Sequence, residues 1–213
     1  MKVRQTPVIS VRKRPQQVRS VRLVGDILEA AGRVLARDGA RKFTTARVAE
    51  QAGVSIGSLY QYFPNKEAIL FRLQTDEWDR TGALLERILA NSGEPAPDRL
   101  RTMAKVFFRS EWEEASLRTA LGDAAPLYRN APEVRNHVKA VRRRALTFIH
   151  EALPGVPASE CAFATAVVMT TMSVVGKRVS EEARSKSEVD AWALAIGEMV
   201  CGYLQRLVER RNS

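Results

Sequence analysis

The chain has 213 residues, of which 45% are hydrophobic and 27% charged, the balance of a folded globular protein and not of a disordered one. Its 34 Lys and Arg against 24 Asp and Glu give a net charge of +10, which points to a polyanionic partner, nucleic acid or an anionic surface. Two cysteines, Cys161 and Cys201, exclude a disulfide framework, and His137 and His150 are too far from them in sequence for a His/Cys cluster, so no metal or cofactor is expected.

Residues 1–15 (MKVRQTPVISVRKRP) are basic and proline-bearing and predict a flexible arm. From Gln16 to Arg37, apolar residues at Val24, Ile27, Leu28, Ala31, Val34 and Leu35 keep helical spacing, and Asp38-Gly39 stops the run. Thr45 is read as the cap of a short helix, Ala46 to Ala52, closed by Gly53. Ser55 caps a second, Ile56 to Phe63, which Pro64 closes. Asn65 caps a long helix to about Ala90, and a linker runs to Pro97. Further helices are expected at Asp98–Leu121, Ala124–Asn130, Pro132–Leu153, Ser159–Glu182 and Ser187–Arg211. No alternating pattern is long enough for a sheet. The expectation is an all-α fold of about nine helices: an arm at 1–15, a three-helix head at 16–63 and a larger helical body at 64–213.

Charge is uneven along the chain. Residues 1–70 hold 13 basic and 5 acidic side chains, whereas residues 71–213 hold 21 and 19. The basic third also contains two short helices joined at Gly53-Val54-Ser55, the layout of a helix-turn-helix. Val48, Ala49, Ala52, Val54, Leu59 and Phe63 would pack the pair together. Ser55, Ile56, Ser58, Tyr60, Gln61 and Tyr62 would face outward, with hydroxyls for phosphates, a Gln for base edges and Ile56 for a thymine methyl. Gly57 removes a side chain where the helix must come close to a partner. Lys66 stands in the first turn of the next helix, where a cation is unfavourable unless an anion docks there. Arg12, Lys13, Arg14, Arg19 and Arg22 form a basic entry suited to phosphate or minor-groove contact.

Residues 44–70, TTARVAEQAGVSIGSLYQYFPNKEAIL, closely resemble the DNA-binding signature of the TetR family of bacterial transcriptional repressors. The resemblance rests on Thr45, Val48, Ala49, Ala52, Gly53, Val54, Ser55, Gly57, Tyr60, Tyr62, Phe63, Lys66 and Leu70, and it extends over residues 16–72. It implies a homodimer that binds a palindromic operator, represses transcription and is released by a small molecule bound in the C-terminal body. It also implies DNA contacts from Thr45, Ser55, Gly57, Tyr60, Tyr62 and Lys66, with Ile56, Ser58 and Gln61 setting the operator sequence. The last two helices would form a four-helix bundle with those of a second copy, through Val167, Thr170, Val174, Trp192, Ile196, Val200, Tyr203, Leu204 and Leu207.

Large or adaptable side chains on the central helices are candidates to line an effector pocket: Trp78, Phe107, Phe108, Trp112, Tyr128, Phe148, Met169 and Met172, with Glu111 able to meet a cation. Ordinary core packing is the competing reading for each. Nothing in the body demands catalysis, so an enzyme is not expected. A regulator without a small-molecule inducer, or an activator, is the alternative; a helical enzyme acting on a phosphorylated substrate is more remote, because Gly53-Val-Ser-Ile-Gly57 lacks the phosphate-loop pattern. The longest uncharged run, Cys161–Gly176, has 16 residues, short of the ~20 that span a bilayer. No apolar stretch follows the basic N-terminus. The expected setting is cytoplasmic, without a membrane partner.

Overall fold

A computed structural model describes Ile9 and residues 18–212. Among them are nine α-helices and no strand: α1 (Val18–Lys42), α2 (Thr45–Ala52), α3 (Ile56–Tyr62), α4 (Lys66–Leu89), α5 (Ala96–Glu113), α6 (Ala115–Ala124), α7 (Pro132–Ala152), α8 (Ala158–Glu182) and α9 (Lys186–Asn212), with a 3-10 turn at Ala125–Leu127. Gly39 breaks α1 with φ 70° and ψ 170°, where the sequence places its stop.

The chain forms two compact units. The first comprises the described residues up to Asp79 together with Ser116–Asn136. Its core holds Ile27, Val34 and Leu35 of α1, Phe43, Val48 of α2, Leu59 and Phe63 around α3, and Ile69 and Leu70 of α4, all inaccessible to solvent. Burying each such side chain contributes ~1.5–3 kcal/mol. Segment 116–136 adds Leu121, Ala124 and Tyr128 to the same core. There Arg118 pairs with the buried Glu77 at 2.8 Å, and Gln74 Nε2 donates to Glu77 at 3.1 Å.

The second unit comprises Arg80–Ala115 and the chain from His137 onward. Val189, Ala193, Ile196, Val200 and Leu204 are spaced three or four apart on α9 and are buried in its core. α5 and α9 run antiparallel, pinned by Arg101 on Glu198 at 2.7 Å and Arg109 on Asp190 at 2.6 Å. α8 also packs on α5, and at Gly176 a Cβ would come within 2.7 Å of the Phe107 ring, so the glycine makes the notch that receives it. By length and composition α8 could cross a membrane, but its face through Cys161, Ala164, Val168, Met172 and Val179 is committed to this core.

The single helix expected over Asp98–Leu121 is two. Glu114 leaves helical geometry at φ −105° and ψ 16°. No Gly or Pro announces the break. Next to it, Trp112 Nε1 donates to Ala183 O at 3.1 Å, and the chain passes from the second unit to the first within two residues. Ala124–Asn130 is likewise a 3-10 turn followed by turns, not a regular helix.

Candidate nucleic-acid interface

The two short helices of the head are built from local chemistry. Thr44 is the residue that caps α2, its Oγ1 accepting from Arg47 N–H at 3.3 Å. This corrects the assignment of that role to Thr45, which begins the helix and instead shares a 3.0 Å hydrogen bond with the Tyr60 hydroxyl, joining α2 to α3. Gly53 ends α2 in the left-handed region at φ 66°, where a side chain would be strained. Two residues later Ser55 caps α3, accepting from Ser58 N–H at 3.1 Å, with the two serine hydroxyls 2.8 Å apart. The tight turn and the immediate restart make a helix-turn-helix.

The outward surface of α3 is Ser55, Ile56, Gly57, Tyr60 and Gln61, with Ile56 42% and Tyr60 40% exposed. Ser58 is half-buried and turned toward the cap. Tyr62 departs from expectation: it is 7% exposed and joins the core of the first unit. It sits one turn's remainder away from the outward stripe, on the side of Leu59, so its ring is held by the fold. A Cβ at Gly57 would meet nothing nearer than Ser55 Oγ at 3.9 Å. The fold itself therefore does not require a glycine there, whereas a partner pressed against the helix would.

Basic residues flank this segment along the chain. Lys66 is the first residue of α4, whose N-terminus is capped by Asn65 Oδ1 accepting from Ala68 N–H at 2.8 Å. Arg19 and Arg22 are exposed at the start of α1. Arg12, Lys13 and Arg14 lie outside the described residues. Arg37 and Arg47 both reach Asp38, at 2.8 and 3.2 Å, and the hydrogen bond from Arg37 holds that carboxyl below its usual range. One residue the sequence reading did not single out is Ile9, which is buried in the head core; its signal is an apolar pair, Val8-Ile9, inside an otherwise polar arm.

The candidate effector residues are divided between the two units. Trp78 and Tyr128 belong to the first unit, where the Tyr128 hydroxyl donates to Leu121 O at 3.3 Å and the ring meets Phe71 edge-on. Burial pushes that phenol well above its usual pKa. Phe107, Phe108, Trp112, Phe148 and Met172 belong to the second unit's core or pack on it, and Met169 and Glu111 are half-buried. Of the nine, only Phe148 lines the cavity formed in this unit by Ala96, Pro97 and Leu100 of α5, Phe148 and Ala152 of α7, and Cys201, Leu204, Gln205, Val208 and Glu209 of α9.

The stripe assigned to a second copy also divides. Ile196, Val200 and Leu204 face inward and are core residues of one chain, and Tyr203 and Leu207 pack partly on that core. What α8 and α9 leave outside is another face. Phe163, Thr170 and Val174, with Val167 half-buried between them, share one side of α8; Trp192 and Met199 share one side of α9. Phe163 is 66% and Val174 63% exposed.

A capped, outward helix after a left-handed glycine turn, in the basic third of an all-α chain, defines a DNA-binding regulator. Residues 27–73 match the family described as bacterial regulatory proteins, tetR family, and residues 95–207 match the tetracyclin repressor-like C-terminal domain. The chain belongs to the TetR family. It is similar to the fatty acid metabolism regulator protein of Bacillus subtilis, 39% identical over 62 residues, which are 29% of this chain and 30% of that protein. It is also similar to the nucleoid occlusion factor SlmA of Actinobacillus pleuropneumoniae, 39% identical over 72 residues, 32% of each chain. These matches therefore span about a third of the curated relatives' length.

Solved structures share the fold over most of the chain. A tetR-family regulatory protein from Rhodococcus RHA1 aligns with a TM-score of 0.63 at 18% identity, covering 87% of this chain and 96% of that one. The ketosteroid transcriptional regulator of Mycobacterium tuberculosis gives 0.62 at 19%, covering 92% and 97%. The regulator FadR of Bacillus subtilis, in complex with stearoyl-CoA, gives 0.59 at 20%, covering 83% and 97%.

Proposed function

We propose that this protein is a homodimeric transcriptional repressor that binds a palindromic operator through α3 and is released by a small molecule. The observation that carries the reading is the outward face of α3, where Ile56, Gly57, Tyr60 and Gln61 are exposed on a helix whose other side is core. Such a helix fits the major groove, with its short polar and apolar side chains meeting base edges. Thr45 and Tyr60, already hydrogen-bonded to each other, present hydroxyls to phosphate, and Lys66 adds a cation at the N-terminus of α4. Arg19 and, in the arm, Arg12, Lys13 and Arg14 supply further phosphate contact.

The second copy is seated on the outer face of α8 and α9, where Phe163, Val174, Trp192 and Met199 would otherwise remain in water. Response to a small molecule is favoured by the stearoyl-CoA complex of the FadR neighbour. An acyl-CoA itself is not carried over, because that neighbour shares 20% identity with this chain. No enzymatic step enters this reading.

The test is a mobility shift with the DNA upstream of the protein's own gene, against random duplex of equal length. The expected result is operator binding that exceeds random binding by about 10³-fold or more. Equal affinity for both duplexes would contradict it.

A further inference from the structure

Helix α7 carries a charge pattern that the fold does not use. From Val134 to His150 its sequence holds five Lys and Arg and neither Asp nor Glu. The remainder of residues 71–213 has 16 basic and 19 acidic side chains, so the positive surplus of this part of the chain comes from that stretch of α7. Three of the five, Lys139, Arg142 and Arg143, lie in the second unit and are exposed. Their i, i+3 and i+4 spacing sets them on one side of the helix. Arg144 pairs with Glu86 at 3.5 Å. Among the described residues, no hydrogen bond or ion pair engages the side chain of Lys139, Arg142 or Arg143.

This side of α7 contributes little to the fold. Phe148 and Ile149 anchor the helix near its end, and from Pro132 to Thr147 none of its residues is buried. Lys139 and Arg143 are like charges one turn apart, an arrangement that destabilises a helix. An anion laid along the stripe reverses that sign. The lining of the stripe also selects the kind of anion. Val138, 54% exposed, is the one large apolar side chain that α7 exposes among the described residues. The stripe therefore lacks the aromatic or aliphatic anchors that membrane-surface helices and protein interfaces bury. What it offers is a row of charges, two of them guanidinium forks matched to phosphate oxygens. From Lys139 to Arg143 the helix rises ~6 Å, a length over which a duplex presents about three to four phosphates. We infer that this side of α7 binds the phosphate backbone of duplex DNA irrespective of sequence, as a second contact separate from α3.

Two measurements on the full chain test it with random duplex as the probe. In the first, Lys139→Gln/Arg142→Gln/Arg143→Gln is compared with the parent protein. The log–log salt slope of binding should flatten by about two to three, since each phosphate contact contributes about 0.9, and Tm should hold or rise. Arg142→Lys/Arg143→Lys, which keeps the charges, should keep the slope. In the second, surface amines of the parent protein are acetylated with and without duplex and read by mass spectrometry. Duplex should slow modification of Lys139 severalfold and leave Lys177, exposed on α8, unchanged. An unmoved slope, or Lys139 protected no more than Lys177, would overturn the inference. Loss of binding to phosphatidylserine vesicles or to polyglutamate in the triple variant, with the duplex slope unmoved, would overturn it in favour of a membrane or an acidic protein. If the triple variant does not fold, acetylation of the parent protein decides alone. Slope and Lys139 protection that respond as stated in a protein without operator preference would sink the repressor reading and leave this inference standing; operator preference with neither response would sink only this inference.

Discussion

Ser55, Gly53 and Tyr62 show how single residues divide between building the head and reading DNA. Ser55 closes the first turn of α3, so Ser55→Ala should cost about 0.5–2 kcal/mol of stability by chemical denaturation; no loss would mean that the cap is redundant. Gly53 holds φ 66°, and Gly53→Ala should cost ~1–2 kcal/mol for the same backbone. Gln61 is exposed and outside the core. Gln61→Ala should therefore leave Tm unchanged and relax specificity at one base pair by ~1–3 kcal/mol. Equal loss on operator and random DNA would show that Gln61 reads no base. Tyr62→Ala should do the reverse, lowering Tm before any change in sequence preference. Gly53 and Ser55 were legible in the sequence because turn and cap chemistry is local. The buried state of Tyr62 was not, because the aromatic run Tyr60-Gln-Tyr-Phe63 does not reveal which rings the rest of the head covers. Thr44 and Thr45 are adjacent and chemically equal, and only backbone geometry separates the cap from the first helical residue.

At the scale of elements, the sequence placed α4, α7, α8 and α9 to within two residues, since their apolar spacing and flanking Pro, Asn and Ser are local signals. It missed the break at Glu114, which tertiary contacts impose. It also counted as one surface a stripe on α9 that has two sides: the inward side packs on α5, and the side with Trp192 and Met199 stays outside. Periodicity identifies an apolar stripe but not what covers it. Replacing both Val174 and Met199 with Glu should consequently yield a folded monomer by sedimentation, with operator affinity lost; a persisting dimer would place the interface elsewhere. The helix pairs are also coupled to pH. Hydrogen bonds from Arg109, Arg101 and Arg99 lower the pKa values of Asp190, Glu198 and Glu151. A carboxyl depressed in the folded state adds stability above its unfolded value, and that stability is lost as pH falls through the folded one. Tm should thus drop below about pH 4, and less steeply in Asp190→Asn. Parallel pH profiles would show that this pair does not contribute.

Across the whole molecule, the surplus of positive charge is concentrated in the third of the chain that carries the helix-turn-helix, while the rest is nearly balanced. This separation was plain in the sequence, because it needs only counting. The cavity between α5, α7 and α9 was not, since its walls come from three helices distant in sequence and only Phe148 of its lining stood out in the sequence. Charge makes a quantitative demand: each phosphate neutralised should contribute about 0.9 to the log–log salt slope of binding. Deleting residues 1–15, which removes Arg12, Lys13 and Arg14, should flatten that slope by about two to three; an unchanged slope would mean that the arm does not touch DNA. The most direct measurement is a methylation-interference footprint of the protein on the DNA upstream of its gene, combined with stoichiometry from sedimentation. Two protomers should protect two major-groove segments about 34–36 Å apart or a multiple of it, and substitutions at Ile56 and Gln61 should shift the bases protected. Binding by a monomer, or a footprint indifferent to every exposed residue of α3, would contradict the account.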